Sequence, residues 1–399
     1  MSWRTRSGVA FGVASSLVLL AAQTGSAATA TNYDGALIEQ VTSSGFVAQH
    51  TPQPNLPAVQ GNQGWVSAGI AALSTSDAWA VGYYHDRAGT RHSATEHWNG
   101  TSWQNISNAA APAPSQLTAV TMHASNDVWA VGYRYVKQGS GNAQRGFIEH
   151  WNGSAWSVIP SPSSLAPTDP ANEWLTSVAA DRTTDAWAIG QTNNPSGFFE
   201  HWNGQQWSLV RSGFPSLAFP AGVSASSPTN AWAAINSLSA NGQNPASAVA
   251  HWNGTTWQQV SALPSGFEGL SVWAHTASNV WLVAQNQVTD HEVIAHWNGT
   301  AWLTTFDEAG YSSDVYWTGI SGTTSSNVYA VGTLGSDQTI NTAAMHWNVT
   351  AWSGVNAQNP VTANVQAPNC PYVFDTLDSV AAVPGGAFAE GSQGANCPG

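Results

Sequence analysis

HWNGTSW, from His97 to Trp103, is written six times with small changes: HWNGSAW at His150, HWNGQQW at His201, HWNGTTW at His251, HWNGTAW at His296 and HWNVTAW at His346. The histidines are spaced by 53, 51, 50, 45 and 50 residues, the period expected of stacked sheet units. A second motif runs in phase with the first: SDAWAVG at Ser76, NDVWAVG at Asn126, TDAWAIG at Thr184, TNAWAAI at Thr229, SNVWLVA at Ser278 and SNVYAVG at Ser326. Of the 22 tryptophans, 17 occupy these repeat positions, so their abundance speaks for architecture before it speaks for ligand binding.

The unit that begins at Leu117 shows how each repeat folds. LTAVTMH alternates apolar and polar residues as a strand does, DVWAVGYR is a second strand, GFIEHW a third and AWSVIP a fourth, with turns at Ala124 to Asn126 and at Asn152 to Ser154. Four short antiparallel strands per repeat make the blade of a β-propeller. The ends of the chain complete the count. IEQVTSSGFVA, from Ile38 to Ala48, aligns with IEHWNGSAWSV from Ile148, putting Gln40 in the histidine place and Phe46 in the second tryptophan place. LDSVAAVPGGAFAEG, from Leu377 to Gly391, aligns with LTSVAADRTTDAWAIG from Leu175, putting Phe388 in the tryptophan place. The first segment supplies two outer strands and the second two inner strands. The expectation is an all-β, seven-bladed propeller over 33–399 whose last blade is closed by both termini, leaving no open sheet edge.

Residues 1–28 read as a secretory signal peptide, with Arg4 and Arg6, an apolar run from Val9 to Ala22 and small residues at Gly25 to Ala28. That layout predicts a secreted, extracellular protein with no membrane span. Without Arg4 and Arg6 the nine basic residues become seven, against 22 acidic ones, a formal charge of −15. Such a balance excludes the basic stripe that nucleic acid requires. With 8% charged residues and abundant Ser, Thr, Asn and Gln, the surface suits neutral, hydroxyl-rich ligands. Cys370 and Cys397, close together in an exported chain, are expected to form a disulfide worth about 3 kcal/mol in the chain-entropy picture.

Six histidines at one strand position would lie far apart around a ring, so they are read as bonded to turn Asp or backbone groups and not as metal ligands. The repeated tryptophans are read as packing between blades, and the N-x-S/T triplets at Asn99, Asn152, Asn253, Asn298 and Asn348 as turn chemistry. Function is sought where the repeat breaks, in the connections that open on one face. Trp65, Trp174 and Trp317 fall at the start of innermost strands, where exposed indoles could stack on sugar rings. The same region holds Asp169, Glu173, Glu268, Asp307, Glu308, Asp314, Asp375 and Asp378, with Tyr311 and Tyr316 nearby. Converging, these would form an acidic mouth able to hold a calcium ion or to supply paired carboxylates. The ligand-binding candidates are Trp65, Trp174, Trp317, Glu173, Glu268, Asp314 and Tyr316.

In segments such as DVWAVG at Asp127 and WNGSAW at Trp151, the unit resembles the tectonin-type repeats of secreted bacterial propellers, in which a Val-Trp strand precedes an Asn-Gly-x-x-Trp hairpin. The resemblance covers essentially the whole chain after the signal and implies a lectin-like, carbohydrate-binding role. STSDAW at Ser74 resembles part of a sialidase Asp-box, but without its glycine, and the last three blades lack the arginines a sialidase site needs. Kelch repeats carry a Gly-Gly pair that the six full units lack. The expected function is therefore a monomeric binding propeller, without cofactor, that recognises a glycan or cell-envelope polymer through its loop-rich face. The alternatives are an extracellular polysaccharide hydrolase or lyase using mouth carboxylates, and a protein-interaction scaffold in the cell envelope.

Overall fold

The computed structural model describes residues 33–49, 65–108, 111–138, 141–162, 172–193, 197–210, 218–237, 248–260, 267–286, 289, 291–308, 315–336, 339–359 and 372–396. The signal segment, Asp169, Tyr311, Asp314, Cys370 and Cys397 lie outside these residues, and so does the expected disulfide. Among the described residues every regular element is a strand, and no helix is long and apolar enough to cross a membrane, which says nothing of strands that could.

Five free-standing four-stranded sheets form blades I to V, each ordered from the first strand to the fourth. Blade I comprises Val66–Ser74, Asp77–His85, Arg91–Trp98 and Trp103–Asn105. Blades II to V begin at Ser115, Glu173, Ala218 and Phe267. Blade VI comprises Val315–Thr324, Asn327–Ser336, Thr339–Trp347 and Trp352–Gly354. The seventh blade takes its inner strands, Ser379–Val383 and Gly386–Asn396, from the C-terminal end and its outer strands, Tyr33–Thr42 and Gly45–Gln49, from the N-terminal end. Its register has Gln40 opposite Phe388, as His97 stands opposite Trp79 in blade I, and Val41 opposite Phe46, as Trp98 stands opposite Trp103. Both ends of the chain therefore pair in the register that the repeat predicts.

One strand was not foreseen. Tyr372–Asp375 pairs antiparallel with Gly386–Asn396 and parallel with Thr339–Trp347, joining blades VI and VII into one nine-stranded sheet. Four residues hemmed by turn-forming sequence carry too little periodicity to signal a strand.

Aromatic wedges hold the blades together. The second-strand aromatic of each blade packs on the outer-strand pair of the next: Trp79 on Trp151 and Trp156, Trp129 on Trp202 and Trp207, Trp187 on Trp252 and Trp257, and Trp281 on Trp347 and Trp352, with centroids 4.8 to 5.6 Å apart. Trp232 meets Trp297 at 6.2 Å. The ring closes through Tyr329 on Phe46 and through Phe388 on Trp98 and Trp103. Burying each such ring contributes about 2 to 3 kcal/mol.

The repeated histidines are internal fasteners. Each hydrogen-bonds through Nε2 to the residue that opens the second strand: Asp77, Asp127 and Asp185 in blades I to III, and Asn230, Asn279 and Asn327 in blades IV to VI, at 2.6 to 2.8 Å. Each also lies against its own blade's second-strand aromatic at 4.2 to 4.8 Å. The Asn-Gly turns differ in detail from a hairpin with two positive φ values. Only the glycine is left-handed, as at Gly100 with φ 90°, while Asn99 Oδ1 accepts the N–H groups of Thr101 and Ser102. The asparagines thus act as turn caps.

A further fastener is a row of buried glutamates, one residue before the histidine position. Glu39 accepts the Gln358 N–H, Glu149 the Asn108 amide and Glu200 the Ser161 hydroxyl, and each donor belongs to the connection entering that blade. Glu39, Glu96, Glu149 and Glu200 are wholly buried. Loss of solvation pushes Glu39 and Glu96 up to about 8 and Glu149 up to about 7.

Candidate functional site

Blade topology separates two faces. Turns between first and second strands and between third and fourth strands gather on one face, and they are short and nearly identical. Links between second and third strands, and between consecutive blades, gather on the other, which we term the loop face. A central cavity of about 650 Å³ runs along the first strands and is lined by all seven blades.

At the loop face one residue per blade stands at the same register position on the first strand: Val66 opposite Tyr83, Gln116 opposite Tyr133, Trp174 opposite Gln191, Phe219 opposite Asn236, Glu268 opposite Gln285 and Tyr316 opposite Thr333. In the seventh blade Thr376 faces Ser392 through paired hydrogen bonds. Three of the sequence candidates, Trp174, Glu268 and Tyr316, thus belong to one ring of positions. All three are half-buried, and Glu268 and Tyr316 line the cavity.

The other candidates are displaced by one residue, and in a strand one residue reverses the side chain. Trp65, just before Val66, is 1% exposed and packs among Ile70, Ala36, Ile38 and Phe388. Trp317, just after Tyr316, is 2% exposed and meets Phe306 edge-on at 5.6 Å. Glu173, just before Trp174, is buried. The expected exposed indoles at 65 and 317 are therefore interior ones, wedged between neighbouring blades.

Among the described residues the expected acidic mouth does not gather as one cluster. Glu308 is spent on the link between blades V and VI, where its two oxygens accept the N–H groups of Glu292 and Val315. Asp375 is wholly buried, and Asp307 lies on the outermost strand of blade V beside His291 at 3.6 Å. Among the described residues no group of three or more His, Cys, Asp and Glu could hold a metal ion.

What does assemble is a polar row across blade V. Glu268 stands opposite Gln285, and Gln285 opposite Glu292, and all three line the cavity. Burial raises the Glu268 carboxyl above its ordinary range. Asn236 of blade IV donates to the Gly269 carbonyl at 2.8 Å, accepts the Gly269 N–H at 3.0 Å and reaches Glu268 Oε1 at 3.5 Å, fixing this corner. In the closing blade, Asp378 is exposed and lines the cavity. Behind it Glu390 is wholly buried, and burial, then the Asp378 charge, push it up to about 8. Sequence reading missed Glu292 and Glu390. Glu390 was legible as a lone carboxyl where blades I to III have Val81, Val131 and Ile189.

Across the mouth, blades I and II carry the opposite charge. Arg91 Nη1 donates to Gln116 Oε1 and to Tyr133 Oη at 3.1 Å, its Nε reaches His85 Nε2 at 3.4 Å, and its Cζ lies 4.4 Å from the Tyr83 ring centroid. Tyr133 also donates to Gln116 Oε1 at 2.8 Å. His85 is held below its usual range, by burial first and then by the Arg91 charge.

No protein-family model matches the chain, and no curated protein matches it by sequence. Solved structures do resemble it. A GH74 xyloglucanase from Xanthomonas campestris superimposes with TM-score 0.54 at 12% identity, over 85% of this chain and 52% of the enzyme. The β-propeller domain of the Trilobed protease from Pyrococcus furiosus gives TM-score 0.51 at 8% identity, over 80% of this chain and 88% of that one. A fucose-specific lectin from Aleuria aurantia gives 0.43 at 13% identity, over 73% and 95%. At these identities the likeness establishes the β-propeller fold and nothing further.

Proposed function

We propose that this propeller is a secreted carbohydrate-binding protein, lectin-like in the manner that the resemblance of its repeats to the tectonin type implies, which takes a glycan or cell-envelope polymer at the loop-face mouth of its channel. The observation that carries the reading is the ring of equivalent positions at that mouth. Where the opposite face repeats one turn sequence, this ring diversifies into Val66, Gln116, Trp174, Phe219, Glu268, Tyr316 and Thr376. Amides, carboxylates and phenols exchange hydrogen bonds with sugar hydroxyls, and aromatic faces stack on sugar rings. A cavity of about 650 Å³ also falls within the range of ligand pockets.

A glycan array probed with folded protein, with and without calcium, tests the reading. Binding to at least one glycan class is expected, weakened at least tenfold in Gln285→Ala. No signal above background on any glycan would remove it.

A second reading is supported by the row across blade V. Glu268 and Glu292 are two strands apart, so their backbones are roughly 10 Å apart, the order of separation between the carboxyls of inverting glycosidases. Hydrolysis or lyase chemistry would release new reducing ends or unsaturated products from a polysaccharide panel. Their absence, alongside binding, assigns the protein to recognition alone.

A further inference from the structure

The chain has seven basic residues after position 31, and five of them, Arg87, Arg91, Arg134, Lys137 and Arg145, fall on the second and third strands of blades I and II or on the link between them. From 212 to the end of the chain there is no Lys or Arg. The loop face is thus polarised, cationic beside blades I and II and anionic beside blades V and VII. Within the cationic side Arg91 is singular. It is half-buried, and its partners are all neutral: the Gln116 carbonyl, the Tyr133 hydroxyl, the face of Tyr83 and the His85 ring. The nearby Asp86 is committed to His92 at 3.0 Å and to the N–H groups of Ala88 and Thr90. Among the described residues Arg91 therefore forms no ion pair, and its Nη2 makes no hydrogen bond. Beside it Gln116, 1% exposed, has an Nε2 without an acceptor.

A guanidinium held rigidly by neutral dipoles through Nε and Nη1 keeps its two Nη2 hydrogens free to donate to a carboxylate, and a partly desolvated charge without a counter-ion favours an anionic ligand. Tyr133, Gln116 and His85 fix the guanidinium plane, so the direction of its Nη2 donors is set before a ligand arrives. An overall charge of −13 works against polyanions, which favours a ligand with isolated carboxylates among neutral hydroxyls.

We infer that the Arg91 corner, with Gln116, Tyr133 and Tyr83, is a carboxylate subsite, and that the glycan recognised at the mouth is an acidic one whose sugar carboxylate lies against the Arg91 guanidinium. This rests on the glycan-binding reading above and narrows its ligand class. The neutral part of the sugar chain then extends over Trp174 and towards the polar row of blade V.

Calorimetric titration with matched pairs tests it: a xylo-oligosaccharide bearing a single glucuronate against its methyl ester, and sialyllactose against lactose. The acid of at least one pair is expected to bind at least tenfold more tightly than its neutral partner, and which pair responds distinguishes a uronate from a sialate. Arg91→Gln is expected to bind acid and neutral partner alike, and Arg91→Lys to keep only part of the preference, with thermal melting confirming that each variant is folded. Equal affinity within both pairs for the native protein, or an unchanged preference in folded Arg91→Gln, overturns the subsite while glycan binding stands. No binding in any arm, together with a blank array, overturns both.

Discussion

Val349 stands where the other five turns of the series have glycine, and it carries their left-handed backbone, with φ 92° against 89 to 96° at Gly100, Gly153, Gly204, Gly254 and Gly299. A β-branched residue is strained there. Val349 is also 62% exposed, so its side chain gives little burial in return. Val349→Gly is therefore expected to stabilise the protein by about 1 kcal/mol, read as a higher urea midpoint at unchanged m. Glu390 is the opposite anomaly, a carboxyl where the corresponding strands have Val or Ile. Glu390→Val should raise the melting temperature at pH 8, by an amount corresponding to about 2 kcal/mol, and the gain should shrink towards pH 5, where the native carboxyl is protonated and costs less to bury. A gain that grew as pH fell would show that the group is not held neutral.

At the scale of the element, the fastener between second and third strands divides the ring. Blades I to III use an Asp–His pair and blades IV to VI an Asn–His pair. Burial holds His251, His296 and His346 below the usual histidine range, and a neutral asparagine does not offset it. Asn279→Asp is expected to raise the pKa of His296, measured by NMR titration, because an adjacent carboxylate favours the charged imidazole. The fold was legible at this scale because the repeat supplies the same evidence six times, and the shared blade could be threaded from Gln40, Phe46 and Phe388 alone. The site was legible only in part. Trp174, Glu268 and Tyr316 were picked out together with Trp65, Glu173 and Trp317, each adjacent in sequence to a mouth position or to one of those three. Strand register decides between such neighbours, and a bulge at the first strand of each of blades I to VI, as between Ser67 and Gly69, shifts the alternation that sequence would extrapolate. Arg91 escaped notice because its meaning lies in contacts with blade II, 25 and 42 residues away.

For the whole molecule, the buried carboxyls set the response to pH. Glu39, Glu96, Glu149 and Glu390 have folded pKa values of about 7 to 8, above the unfolded value near 4.3. The native state therefore binds more protons than the unfolded state between those limits, and stability falls as pH rises through them. His85, His251, His296 and His346 act in the opposite sense, their contribution being lost as pH falls through about 6.5. Above that value the carboxyls alone remain, so the melting temperature should drop by several degrees from pH 6.5 to pH 8, and Glu96→Gln should flatten the slope. A melting temperature that rises over this window would contradict the protonated state of these groups. The ring presents one monotonous face and one diversified, charge-polarised mouth, and the proposed recognition uses the latter. Hydrogen–deuterium exchange with a glycan identified on the array tests this most directly. Protection is predicted at the loop-face starts of the first strands, around residues 116, 174, 268 and 316, and at Arg91; protection confined to the Asn-Gly turns of the opposite face would contradict it.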